Sequence, residues 1–102
     1  MPRFELRIAP GAMVEIQAIS RWWRANRLLA PRLFDRELDA MFELLEFQPT
    51  LGKVTRLRSL GDVRVAVLRR CRYLVAYRVH EQEQRVWIVR VRHDSRRPLA
   101  RR

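Results

Sequence analysis

Cysteine is almost missing from this chain: Cys71 stands alone among 102 residues. No intramolecular disulfide can form, and no second thiol exists to share a zinc ion. A thiolate nucleophile needs a neighbouring base or cation, so Cys71 reads as a small filler near a turn. This cysteine usage fits a reducing compartment, and a cytoplasmic location is expected. Glycine is nearly as scarce, with three residues, and no glycine-rich phosphate loop is present. Neither His80 nor His93 has a second His or Cys at metal-ligand spacing, so no metal or other cofactor is expected. No apolar run approaches the ~20 residues of a membrane span. The opening MPRFELRIAP places Arg3, Glu5 and Arg7 where a secretory signal carries its apolar segment. Neither export nor membrane association is expected.

Lysine is reduced to Lys53, and arginine takes its place. Residues 1–52 hold seven arginines and seven carboxylates, which cancel. Residues 53–102 hold fifteen Lys or Arg against Asp62, Glu81, Glu83 and Asp94, so this half carries the whole +11. A neutral half joined to a strongly basic one points to an acidic partner, either nucleic acid or an acidic protein segment. Arginine's planar fork suits phosphate and carboxylate, although a coding bias toward Arg gives the same composition. Hydrophobic residues make up 48%, which argues against disorder. The length allows one small core, hence one domain over 1–102 with a basic tail from about 94.

Phe4, Leu6 and Ile8 alternate with Arg3, Glu5 and Arg7, as in a half-buried strand. Pro10 suits the first turn of a helix, and Ala12, Ile16, Ile19 and Trp23 then fall on one stripe. Trp22 and Trp23 cannot both face inward. Asn26 is a fitting stop. Pro31 opens a second helix with Phe34, Leu38, Met41 and Leu45 on its apolar stripe and Phe42 widening it. Its carboxylates, among them Asp35, Glu37 and Glu43, read as a solvated face. Pro49 and Gly52 end this helix, and the two helices make an antiparallel hairpin. Residues 50–61 read as a linker. Three strands follow, at about 62–68, 73–79 and 85–93.

A two- or four-residue loop gives the same pairing in each of these hairpins. Under it Val63, Val65, Val67, Leu74, Ala76, Trp87, Val89 and Val91 share the face expected to receive the helices. The other face carries Arg64, Tyr73, Tyr77, Arg90 and Arg92, with Ala66, Val75 and Ile88 between them. A surface mixing Tyr and Arg fits an acidic or nucleic-acid partner, and equally a solvated face with arginine stems lying along it. The chain leaves the sheet at His93, and Asp94-Ser95-Arg96-Arg97-Pro98 forms an exposed basic tip on a rigid strand.

In this order the pieces resemble the RelE/ParE superfamily of toxins from bacterial type II toxin–antitoxin systems. The likeness is carried by FELRIAPGAMVEI, the Leu44-Leu45 to Pro49-x-x-Gly52 helix exit, YLVAYRV and VWIVRVRHDSRR. It implies an α+β fold (β-α-α-β-β-β): an N-terminal strand and a two-helix hairpin packed on an antiparallel sheet, completed by a three-stranded meander. It also implies a plasmid-stabilisation-like module in which a cognate antitoxin, encoded next to the toxin, binds and neutralises it as a hetero-oligomer. Two targets follow from the two branches. ParE-like members poison DNA gyrase by binding, and here His93, Arg96, Arg97, Arg90, Arg92 and Tyr77 would meet the target. RelE-like members are ribosome-dependent mRNA endonucleases, and here His93, Arg64, Tyr73 and Arg92 would be catalytic. The nuclease branch with a His at this strand end usually follows it with Tyr, where this chain has Asp94. It often carries Glu soon after the linker Gly-Lys, where this chain reads Val54-Thr55-Arg56-Leu57. Both departures favour the ParE-like branch. A non-toxic relative that only binds antitoxin would bear the same marks.

Overall fold

The computed structural model describes residues 3–94. Its elements run β1 (Glu5–Ile8), α1 (Pro10–Asn26), α2 (Leu33–Phe47), β2 (Lys53–Leu57), β3 (Gly61–Leu68), β4 (Tyr73–His80) and β5 (Arg85–His93). The α+β order of strand, helix pair and terminal meander is the expected one. Among the described residues no helix is long and apolar enough to cross a membrane.

Both helical stripes turn inward. Ala12, Trp23, Phe34, Leu38 and Leu45 are buried, with Ile16, Ile19, Met41 and Phe42 packed against them. Each fully buried side chain of Leu or Phe size contributes roughly 1.5–3 kcal/mol. Trp22 is the partly exposed member of its pair. Pro10 sits in the first turn of α1, where a missing N–H costs nothing. Asn26 closes the helix by donating its side-chain amide to the Trp22 carbonyl at 2.9 Å. α2 begins at Leu33, just past Pro31. The helices are joined through buried Ser20, whose hydroxyl donates to Asp35 at 2.7 Å and accepts from Arg24 at 2.7 Å.

The five-stranded sheet has the order β1-β5-β4-β3-β2, and it corrects two expectations. β1 lies parallel to β5, with Glu5 opposite Arg85 and Ile8 opposite Ile88, so the sheet is mixed and not wholly antiparallel. The supposed linker contains β2, paired antiparallel to β3 from Lys53↔Val65 to Leu57↔Gly61. Its sequence KVTRL lacks a clean apolar face because it is an edge strand, where charged side chains discourage pairing with other chains.

Pairing in the β3–β4 hairpin matches the expectation, with Leu68 opposite Tyr73 and Arg64 opposite Tyr77. The β4–β5 hairpin starts as expected at His80↔Arg85 and then shifts. Tyr77 pairs with Ile88 but Ala76 pairs with Arg90, which leaves Val89 as the extra residue of a β-bulge. The helices cover the face opposite to the one expected. Ala66, Leu68, Tyr73, Val75, Tyr77, Val86, Ile88 and Val91 join the core. This face carries the bulkier side chains, and its tyrosines satisfy their hydroxyls internally. The bulge puts Val91 in the core beside them and keeps Arg90 and Arg92 with Ala76 and Leu74 on the open face.

Tyr77 is fully buried. Its hydroxyl accepts the Gly52 N–H at 2.7 Å and donates to the Pro49 carbonyl at 2.8 Å, fastening the exit of α2 to the middle of the sheet. A Cβ at Gly52 would lie 2.6 Å from that hydroxyl and 3.0 Å from the Val65 backbone carbon, so this position requires glycine for space. Tyr77→Phe leaves the buried Gly52 amide without its acceptor and should cost about 1–3 kcal/mol. Gly52→Ala should cost about 1–3 kcal/mol through overpacking. In the double variant the new Cβ no longer meets an oxygen, so urea unfolding should give a loss smaller than the sum. Strict additivity would show that the hydroxyl does not fill this space.

Candidate functional site

β1 stops opposite Ile88, so among the described residues the outer edge of β5 beyond that point has no strand beside it. Glu15 of α1 covers it instead. One carboxylate oxygen accepts the Val91 N–H at 2.8 Å, and the other lies 3.5 Å from Arg90 Nε. This contact pins the strand just past the bulge and fixes which way the residues up to His93 face.

On the open sheet face, Val65, Leu74 and Ala76 floor a cleft of about 320 Å³ bordered by Arg58, Arg90 and Arg92. Guanidinium groups stay protonated at any physiological pH and offer forked donors to phosphate or carboxylate. Among the described residues no carboxylate or imidazole lines this cleft. It can hold an anion and has no side chain suited to passing a proton near neutral pH. Arg58 was missed from sequence because residues 50–61 read as a linker; the β2–β3 turn brings it over the sheet.

The expected site residues do not form one cluster. His93 pairs with Tyr73 on the helix side, ring centroids 4.9 Å apart and edge-on. The Tyr73 hydroxyl accepts the Trp23 indole N–H at 3.3 Å. Arg92 pairs with Leu74 and also lines a cleft of about 480 Å³ beside Tyr73 and His93. Arg64 pairs with Tyr77, four positions along β4 from Tyr73, or roughly 13 Å at ~3.3 Å per residue. Its guanidinium donates to the carbonyls of Gly52 at 2.8 Å and Thr50 at 3.3 Å, so it supports the turn after α2. Of the four residues implied for RNA cleavage, His93 and Tyr73 are in contact and line one cleft with Arg92 and Glu15, while Arg64 is not gathered around them. Tyr77, expected on a target-binding surface, lies in the core, while Arg90 and Arg92 border the open cleft. Arg96 and Arg97 lie outside the described residues. No group of three His, Cys, Asp or Glu among the described residues is arranged to hold a metal.

The turn between β3 and β4 has a second keeper. Arg72 adopts φ +68°, a left-handed conformation that costs a non-glycine residue roughly 1–2 kcal/mol. Glu37 offsets this by accepting the amides of Arg70 at 2.9 Å and Cys71 at 3.0 Å. It is therefore not simply part of a solvated face. Desolvation pushes its carboxyl up, but the hydrogen bonds from the Cys71 thiol and the two amides outweigh this, and the net shift is downward.

A family model described as the ParE toxin of the type II toxin–antitoxin system, parDE, matches residues 6–98. The chain is similar to one in the crystal structure of the toxin–antitoxin complex RelBE2 from Mycobacterium tuberculosis. The identity is 26%, over 91% of this chain and 93% of that one, with a TM-score of 0.66. A chain of the archaeal RelE–RelB complex from Pyrococcus horikoshii shares the fold, at 19% identity over 92% of this chain and 98% of that one, with a TM-score of 0.63. Comparison with curated proteins gave no match.

Cys71 is buried in the same turn. Burial first, and then the hydrogen bond and charge of Glu37, push its thiol up from 9.0 to about 12. Folding thus favours the neutral thiol. Its contribution to stability is fully present below about pH 9 and is lost as pH rises from there through about 12. At about pH 8, near the pKa of a free thiol, iodoacetamide should leave the native protein unmodified and alkylate the urea-unfolded chain. Rapid alkylation of the native protein would contradict this placement of Cys71.

Proposed function

The chain belongs to the ParE toxin family of type II toxin–antitoxin systems, and from that premise we propose that it arrests growth by binding DNA gyrase, without chemistry of its own. The observation that carries this reading is the arginine-bordered cleft on the open sheet face. Arg58, Arg90 and Arg92 border that cleft, and His93 packs edge-on against Tyr73 on the helix side. Cutting RNA beside a 2′-hydroxyl needs a base and an acid next to the cations that stabilise the transition-state charge. An anion-binding face without a proton-transfer group suits a protein that holds its target. The basic residues Arg96 and Arg97 follow in the sequence.

We further propose that an antitoxin encoded next to this chain neutralises it. The similarity to a chain crystallised in a toxin–antitoxin complex supports this reading, as does the concentration of the +11 charge in residues 53–102. An acidic segment that folds on binding would complement that half. Co-expression with the neighbouring small open reading frame should yield a complex that co-purifies through gel filtration; separate elution would count against the partner.

Purified toxin should inhibit supercoiling by gyrase in vitro. Arg96→Ala with Arg97→Ala should raise the inhibitory concentration at least tenfold, since losing two charge-assisted contacts at an interface costs about 2–5 kcal/mol. Stability should change by roughly 0.5 kcal/mol or less per site. Cells arrested by the toxin should keep intact transcripts. Ribosome-positioned cuts in mRNA, with supercoiling unaffected, would replace the gyrase reading by the nuclease one.

A further inference from the structure

A second cleft, of about 650 Å³, opens between the last turns of α1 and the β3–β4 turn. Trp22, Trp23, Tyr73 and His93 are among the side chains that line it, and Arg27, Arg70 and Arg72 border it. The aromatic wall is held firmly. Trp22 packs edge-on against Trp23 with centroids 6.0 Å apart, and Trp23 bonds the Tyr73 hydroxyl. His93 closes the row against Tyr73. The Arg27 guanidinium lies 4.9 Å from the Trp22 ring and 5.8 Å from that of Trp23. Trp22 nevertheless remains 45% exposed, a large share for an indole whose neighbours are so well packed.

Charge at the rim is one-sided. Among the described residues no carboxylate lines the cleft, and Asp94 pairs loosely with Arg72 at 3.9 Å. The strained turn that raises Arg70 and Arg72 beside the aromatic wall is held by the two Glu37 hydrogen bonds, so these guanidiniums project from a fixed support.

We propose that this cleft binds a single strand of nucleic acid, with one base stacked on Trp22 and flanking phosphates held by Arg70 and Arg72. Every base presents a π-face, and stacking on an exposed aromatic ring is the sequence-tolerant way to hold a single strand. The guanidinium fork matches phosphate oxygens in pairs. An acidic peptide would satisfy the arginines and leave the aromatic wall unused. The proposal rests on the chemistry of this cleft alone and is independent of the gyrase reading, which concerns the open face and the tail.

The test is fluorescence anisotropy with the full-length protein and a labelled oligothymidylate of about ten nucleotides, within the usual footprint of such sites. A base-free deoxyribose-phosphate strand of equal length and charge is the comparison, and oligouridylate separates an RNA ligand from a DNA one. The base-bearing strands should bind about tenfold more tightly than the base-free one. Trp22→Ala should erase that preference and Trp22→Phe should keep most of it, both with unchanged thermal unfolding. Arg70→Ala with Arg72→Ala should weaken all strands and reduce the salt slope by about 1.4, at ~0.7 per phosphate. Equal wild-type affinity for base-bearing and base-free strands would overturn the proposal. So would a preference that survives Trp22→Ala. Displacement of the strand by polyglutamate at equal charge would assign the cleft to an acidic protein segment instead.

Discussion

One surplus residue in β5 decides which side chains this protein hides and which it offers. Strict alternation would send Val86, Ile88, Arg90 and Arg92 to the same side of the sheet. The shift between Tyr77 and Ala76 interrupts that pattern at Val89. Val91 then completes the core while Arg90 and Arg92 stay over the apolar floor of Leu74 and Ala76. His93 is turned toward the helices by the same step. Past the bulge the outer edge of β5 extends beyond β1, and the Glu15 carboxylate accepts the Val91 amide there. A carboxylate on the first helix thus supports the geometry of the last strand.

Much of this was legible in the sequence. The helical stripes were unambiguous because their spacing is purely local and their burial follows from it. The hairpin registers were also legible as far as loop length sets them. The bulge was not, because VWIVRVR alternates on either side of Val89 and nothing in its composition marks an insertion. The choice of covered face failed for a related reason. Tyr73 and Tyr77 read as surface residues, whereas each hydroxyl finds a buried partner that is distant in sequence: Trp23 for one, Pro49 and Gly52 for the other. Arg64 was misread similarly, since its carbonyl partners lie in the turn after α2.

The arginines of the basic half divide by what holds them. Arg64 serves a turn, and Arg78 serves another by donating to the Leu60 carbonyl. Arg56 pairs with Asp62 at 2.8 Å on the exposed edge, a contact worth little in water. Arg58 and Arg92 border the open cleft, and Arg70 and Arg72 border the aromatic one. Net charge therefore overstates the basic surface available to a partner, and the geometry concentrates it in two places on opposite sides of the sheet.

The parallel pairing of β1 with β5 has a consequence for synthesis. The first strand finds its neighbour only across the whole described chain, Glu5 opposite Arg85, and β5 is also the strand that β4 needs on its free side. A nascent chain can form the helix hairpin and the β2–β3–β4 meander early, because those contacts are close in sequence. The edge of β4 and the face of β1 stay unsatisfied until β5 emerges, so closure of the sheet waits for its last strand, and contacts of such long range form slowly. The strand that carries Arg90, Arg92 and His93 is the one that completes the fold. No truncated chain that stops short of β5 can present those residues, and incomplete translation yields a sheet with an open edge and no such surface.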